Sequence, residues 1–228
     1  MSTQASGSSG SARLDAFVDA AFAFAVSLLV IGGGGVPANY AELERAVASA
    51  PAFLIGFALI AMFWHAHVRW RSYGERTGFM PVLLSLLIVF LVLVYVYPLR
   101  VMTITLVEFV RGEVRAVRTM AEARSLFALY GLGFTAMAAA IACLFATSLK
   151  GDLTAEQRIG VTGEIGIWII LGSAGLLSGL LASVAPAFAP WVYSLLPIVI
   201  PLFVSRHWRK SRAAALANAA PPPAATGR

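Results

Sequence analysis

The sequence predicts an all-α, polytopic membrane protein with six transmembrane helices, and three observations lead there. Of its 228 residues, 59% are hydrophobic and only 12% are charged, which lies outside the range of soluble globular domains. Six apolar segments approach the roughly 20 residues that a helix needs to cross a bilayer core. The formal net charge of +6 comes from basic residues scattered among the short stretches between those segments, whereas nucleic-acid binding would gather them into one stripe or patch.

Residues 1–12, "MSTQASGSSGSA", are small and polar and lack the positive n-region of a cleavable signal peptide; they are expected to be disordered. Residues 13–206 form the transmembrane domain. The first span covers Leu14 to Ile31 and stops where Gly32 to Gly35 remove helix propensity. The second runs from Pro51, suited to a helical first turn, to Trp70. The third, Met80 to Met102, is apolar nearly all round and reads as a bundle or lipid-facing helix. After it, "EFVRGEVRAVRTMAEAR" mixes charges at helical spacing and predicts a solvated or interfacial helix. The fourth span covers Ser125 to Leu149 and the fifth Gly163 to Val184, where Gly172, Gly175 and Gly179 give the small-residue spacing that lets helices approach closely. The sixth, Trp191 to Val204, is short and holds Pro197 and Pro201, which kink helices. Residues 207–228 are a basic, then Ala/Pro-rich tail expected to be disordered. Cys143, the single cysteine, excludes an internal disulfide and reads as a small buried hydrophobe.

Six spans put both termini on one side. That side collects Arg13, Arg69, Arg71, Arg76, Lys150, Arg158, Arg206, Arg209, Lys210, Arg212 and Arg228, against Arg45, Arg100, Arg111, Arg115, Arg118 and Arg124 on the other. The positive-inside rule therefore predicts cytoplasmic termini.

Catalysis needs a nucleophile with a base, paired carboxylates or a ligand cluster, and none is assembled in this sequence. His65 and His67, two apart, point about 200° from each other on a helix and cannot share a metal ion locally. No enzyme activity, metal or cofactor is expected. The first span stands apart, because ionisable groups inside a span are costly and mark function. At about 100° per residue, Arg13, Phe17, Ala20, Phe24, Leu28 and Ile31 share one stripe with Ser27 at its margin, and Asp19 faces away. On periodicity alone, Phe24, Leu28 and Ile31 read as ordinary core.

The run "RLDAFVDAAFAFAVSLLV" resembles the first-helix signature of the transmembrane protein 175 family of potassium channels: an arginine, a Phe-Ser-Asp motif, then a small and aliphatic run. Trp64 and His67 match that family's Trp-x-x-His pattern in the second span, and a third span ended by Pro98 is a weaker match. The resemblance implies a prokaryotic channel with a single six-helix repeat per subunit, assembled as a homotetramer in the cell membrane, with the first helix lining the pore and potassium as the permeant ion. Carried over by motif position, Phe24 is the principal constriction, Leu28 and Ile31 are the following apolar rings, and Ser27 is a polar pore-lining residue. Arg13, Asp19, Trp64, His67 and Ser85 match a structural polar network, with His67 or Arg13 as the expected partner of Asp19.

Three positions depart from that pattern. Val18 stands where the motif has serine, Ser85 where the third span has asparagine, and Phe24 where the constriction is aliphatic. A non-conducting membrane assembly protein of the same fold and, more remotely, a secondary transporter are the competing readings. The second half of the sequence has neither the midspan charges nor the repeat that transporters carry.

Overall fold

The computed structural model describes residues 3–32, 36–74, 78–112 and 116–219, with the side chains of 3–9, 187 and 210–219 left out. The elements in order are α1 (Thr3–Ile31), α2 (Tyr40–Ala48), α3 (Ala50–Arg71), α4 (Phe79–Val110), α5 (Met120–Ser148), α6 (Ala155–Val184), a 3-10 turn (Pro186–Phe188), α7 (Trp191–Ser194) and α8 (Leu196–Ala219). Among the described residues, five helices of 22 to 32 residues are long and apolar enough to cross a membrane. They belong to α1, α3, α4, α5 and α6.

Several boundaries differ from the sequence expectation. Helix α1 reaches back through the expected disordered segment to Thr3, and the tail is helical as far as Ala219, where "RAAALANA" is rich in the strongest helix former. Pro98 does not end the third span: α4 passes through it to Val110. The missing N–H forfeits one bond to the carbonyl of Val94, a loss that a membrane helix tolerates when its neighbours hold it. The expected interfacial helix over "EFVRGEVRAVRTMAEAR" is therefore divided between the end of α4 and the start of α5, with residues 113–115 outside the described set. Helix α2 was not anticipated, although its cap is readable. The Asn39 side chain caps the helix by accepting from the Glu42 N–H at 3.0 Å, and Glu42 accepts from the Ala38 N–H at 2.8 Å. The bond from Ala38 also holds the Glu42 carboxyl below its ordinary pKa.

The sixth span is not one helix. Trp191 to Val204 is divided at Leu195 into α7 and α8, and Pro201 lies inside α8. The path still returns. Ser178 of α6 donates to the Ala189 carbonyl at 2.9 Å, and the His207 Nε2 lies 3.0 Å from the carbonyl of Ile159, also in α6. Eighteen residues at about 1.5 Å each cover roughly 27 Å, close to the thickness of the hydrocarbon core. Among the described residues the path thus runs the length of the bundle six times, the last time with a break in the helix.

Helices α1, α3 and α5 pack around α4, with α6 against α5 and α8 against α6. Phe63 of α3, fully buried, is the meeting point, with ring centroids 6.1 Å from Tyr95 of α4, 5.5 Å from Phe134 of α5 and 5.8 Å from Trp168 of α6. The α5–α6 seam is closer still. The Thr135 hydroxyl donates to the Gly131 carbonyl at 2.7 Å and lies 2.9 Å from the Gly172 carbonyl across the seam. A Cβ at Gly175 would stand 2.9 Å from the Thr135 hydroxyl and 3.0 Å from the Gly131 carbonyl, so glycine permits this approach. Cys143, expected inside, lies exposed on the outer face of α5.

Gly175→Val is expected to overpack the seam and destabilise by about 1–3 kcal/mol, seen as a lower melting midpoint in detergent. Gly179→Ala, whose Cβ would meet its nearest neighbour at 3.8 Å, is expected to melt like the parent. Equal midpoints for all three proteins would refute the seam.

Candidate functional site

Helix α1 divides into three faces. Val18, Phe22, Ala25 and Leu29 are buried and, at about 100° per residue, fall within an arc of roughly 60°. This is the packing face; at its far end Leu29 fills the space over Gly56 of α3, where a Cβ would lie 2.7 Å from the leucine methyl. The stripe through Phe17, Phe24 and Ile31 lies roughly 130° away and is 53%, 55% and 58% exposed. Leu28 is half-buried beside it, and Arg13, Ala20 and Ser27 are exposed. Phe24 and Ile31 therefore lie outside the chain's core, while Leu28 packs partly against it. The Ser27 hydroxyl donates to the Ala23 carbonyl one turn back, at 3.1 Å.

The third face is acidic. Asp15 and Asp19, one turn apart, both look toward α3, where Trp64 and Arg71 occupy positions seven residues apart and so share a face. The Arg71 Nε lies 2.9 and 3.0 Å from the two carboxylate oxygens of Asp15. The Trp64 indole N–H donates to Asp19 at 2.8 Å. Because α1 and α3 run antiparallel, the earlier carboxylate meets the later partner. These two bonds fix the register and rotation of α1 against α3.

Next to this clamp, the His67 Nε2 lies 3.1 Å from the Ser85 hydroxyl of α4, with His67 2% exposed and Ser85 fully buried. Trp70 packs beside both His67, at 5.4 Å between rings, and the Arg71 guanidinium, 5.5 Å above its indole. A polar chain thus links α1 to α3 and α3 to α4.

Of the five residues expected in one network, the structure joins Asp19 to Trp64 and His67 to Ser85, as two separate pairs. The expected partners of Asp19 are not its partners. His67 turns toward α4, and Arg13, about 120° round the helix from Asp19, sits on the exposed stripe with no ion-pair partner among the described residues. Two ion pairs were missed: Asp15–Arg71, and Arg69–Glu164 at 2.7 Å, which ties the end of α3 to the start of α6. The one-turn spacing of Asp15 and Asp19 was the available signal for the first. Both arginines had been read only as charges that orient the chain.

A double-mutant cycle on Asp15→Asn and Arg71→Gln is expected to give a coupling energy of about 1 kcal/mol, measured by unfolding in mixed detergent. A cycle that closes to zero would remove the clamp.

Residues 13–98 match the family described as "Endosomal/lysosomal potassium channel TMEM175". A protein named "Potassium channel" from Marivirga tractuosa is 27% identical over 188 residues, covering 76% of this chain and 75% of that one. Among solved structures, a variant of the potassium channel MtTMEM175 bound to a nanobody–MBP fusion superimposes with a TM-score of 0.76 at 24% identity, covering 87% of this chain and 93% of the other. A lysosomal potassium-selective channel TMEM175 homolog from Chamaesiphon minutus gives 0.59 at 22% identity, covering 87% and 98%. This chain is thus similar to the TMEM175 family in sequence over residues 13–98 and to a solved TMEM175 structure in fold over 87% of its length.

Proposed function

We propose that the chain is the subunit of a potassium channel in a prokaryotic cell membrane, a homotetramer in which four copies of α1 surround the ion path. One observation carries this reading: the apolar stripe of α1, with Phe24 at 55% and Ile31 at 58% exposed, is turned away from the subunit's own bundle while the opposite side of the helix is locked in place. The subunit interior offers no ion a route where Phe63, Tyr95, Phe134 and Trp168 meet. An ion path then has to run between subunits, along an outer face. Helix α1 is the natural wall, because its outer face combines the stripe with the Ser27 hydroxyl. The names of the relatives, potassium channels in each case, point to the same ion.

Phe24, Leu28 and Ile31 recur at four and three residues, so four-fold rings of them make an apolar neck about 10 Å long. An ion entering it sheds water against side chains that offer no lone pairs, and the neck closes by dewetting. Potassium holds its water less tightly than sodium and is the cheaper ion to strip. Ser27 spends its proton on the Ala23 carbonyl, which leaves its oxygen lone pairs free to accept from pore water or to face the cation. The excess of Arg and Lys at the end that holds Arg13, Arg69, Arg71, Arg158 and Arg206 supports cytoplasmic termini.

Reconstituted liposomes under a potassium gradient test the reading. The parent is expected to pass potassium faster than sodium, and Phe24→Ala to raise flux about tenfold, equivalent to about 1.4 kcal/mol off the dehydration barrier. Flux from Phe24→Ala alone would make the parent a sealed, non-conducting assembly of the same fold. Silence from both proteins would discard the channel, and flux indifferent to residue 24 would discard the neck.

A further inference from the structure

Helices α6 and α8 leave a groove between them that the channel reading does not use. Its volume is about 430 Å³; Ile170, Val199, Leu202 and Phe203 line its length, and Arg206 and His207 close one end. A second cavity of about 200 Å³ shares Phe203 and His207 and reaches Arg69, Glu164 and Trp208. Helix α8 runs through Pro201 and touches α6 at two points, Phe203 against Gly166 and the His207 ring 3.4 Å from where a Cβ at Gly163 would stand, with the groove opening beside them.

Depth and charge select the occupant. Ile170 lies in the middle of the apolar α6, and the facing wall belongs to the apolar part of α8, so the body of the groove sits among lipid tails. A volume of about 430 Å³ is enough for an acyl chain. The polar end stands level with the first turns of α6, since the His207 Nε2 lies 3.0 Å from the Ile159 carbonyl and 3.4 Å from the Thr162 hydroxyl. Trp208 marks that level as the headgroup zone. The cations there are not equivalent. Arg69 is neutralised by Glu164 at 2.7 Å, whereas Arg206 has no ion-pair partner among the described residues. An apolar slot ending in an uncompensated arginine at the interface matches a lipid with a negative headgroup.

We propose that the α6–α8 groove is a binding site for one anionic glycerophospholipid per subunit, with an acyl chain along Ile170, Val199, Leu202 and Phe203 and its phosphate on Arg206. The bound lipid fills the outer side of the α6–α8 contact and holds the two helices together. The site stands whether or not the protein conducts.

The full-length protein in mild detergent is melted with added phosphatidylglycerol, with phosphatidylcholine of the same acyl chains, and with inorganic phosphate, and retained lipid is counted by native mass spectrometry. Phosphatidylglycerol is expected to raise the melting midpoint by several degrees and to remain at one molecule per subunit, while phosphatidylcholine and free phosphate do neither. Arg206→Gln is expected to weaken apparent phosphatidylglycerol affinity about tenfold, and Leu202→Trp, which fills the slot, to abolish retention. Equal shifts from the two lipids, a shift reproduced by phosphate alone, or parental retention by Leu202→Trp would overturn the proposal. Should Arg206→Gln fail to fold, Leu202→Trp and the lipid comparison decide it.

Discussion

A carboxylate on a membrane helix must be met by a cation or by hydrogen-bond donors, because the bilayer supplies neither. Helix α1 carries two such groups, Asp15 and Asp19, and α3 answers with Arg71 and Trp64. Two fixed bonds one turn apart settle the rotation of α1 about its own axis as well as its height. Everything proposed for the outer stripe follows from that rotation: turning the helix by a third of a revolution would bury Phe24 and present Val18 and Phe22 instead. The pattern of small and aliphatic residues on α1 could not decide this alone, since both faces are apolar.

The rest of the bundle serves as a stiff backing for that arrangement. The clamp continues through His67 and Ser85 into α4, and α4 is held by the aromatic junction at Phe63, where side chains from four helices converge. Behind it, the Gly131, Gly172 and Gly175 seam brings α5 and α6 close enough for Thr135 to approach the partner helix's carbonyl. Between hydrocarbon and protein there is little hydrophobic gain to be had, so close packing and buried hydrogen bonds take over the work of cohesion. The glycines belong to this energetic scheme as much as the aromatic rings do.

Hydropathy and length made the five long helices legible in the sequence, and the α5–α6 seam was visible in its glycine spacing. The errors have physical causes. Hydropathy ends the third span at Met102, whereas α4 runs on to Val110, and the proline end that the resemblance implied at Pro98 falls inside the helix. The apolar stretch after Trp191 has the composition of a span but too many prolines to be one rod. At the site, Asp19, Trp64, His67 and Ser85 were all singled out, yet not their pairing. The partners of Asp15 and Asp19 lie 56 and 45 residues away, and which side chain of α3 stands opposite which carboxylate depends on the helical register, a property of two segments that neither discloses alone. Arg71 was overlooked because an arginine at a span end explains itself as an interfacial charge.

The return of the chain to its starting side has a consequence beyond the single subunit. Arg13 of α1 and His207 of α8 lie at the same end of the bundle, the end marked by Arg71 and Ile159. Two copies of the gene fused head to tail would therefore place both halves in the membrane in the same orientation, joined by a short loop and with no additional crossing segment. An odd number of passes would have inverted the second half. In the tetramer proposed above, two such fused chains would take the place of four single ones.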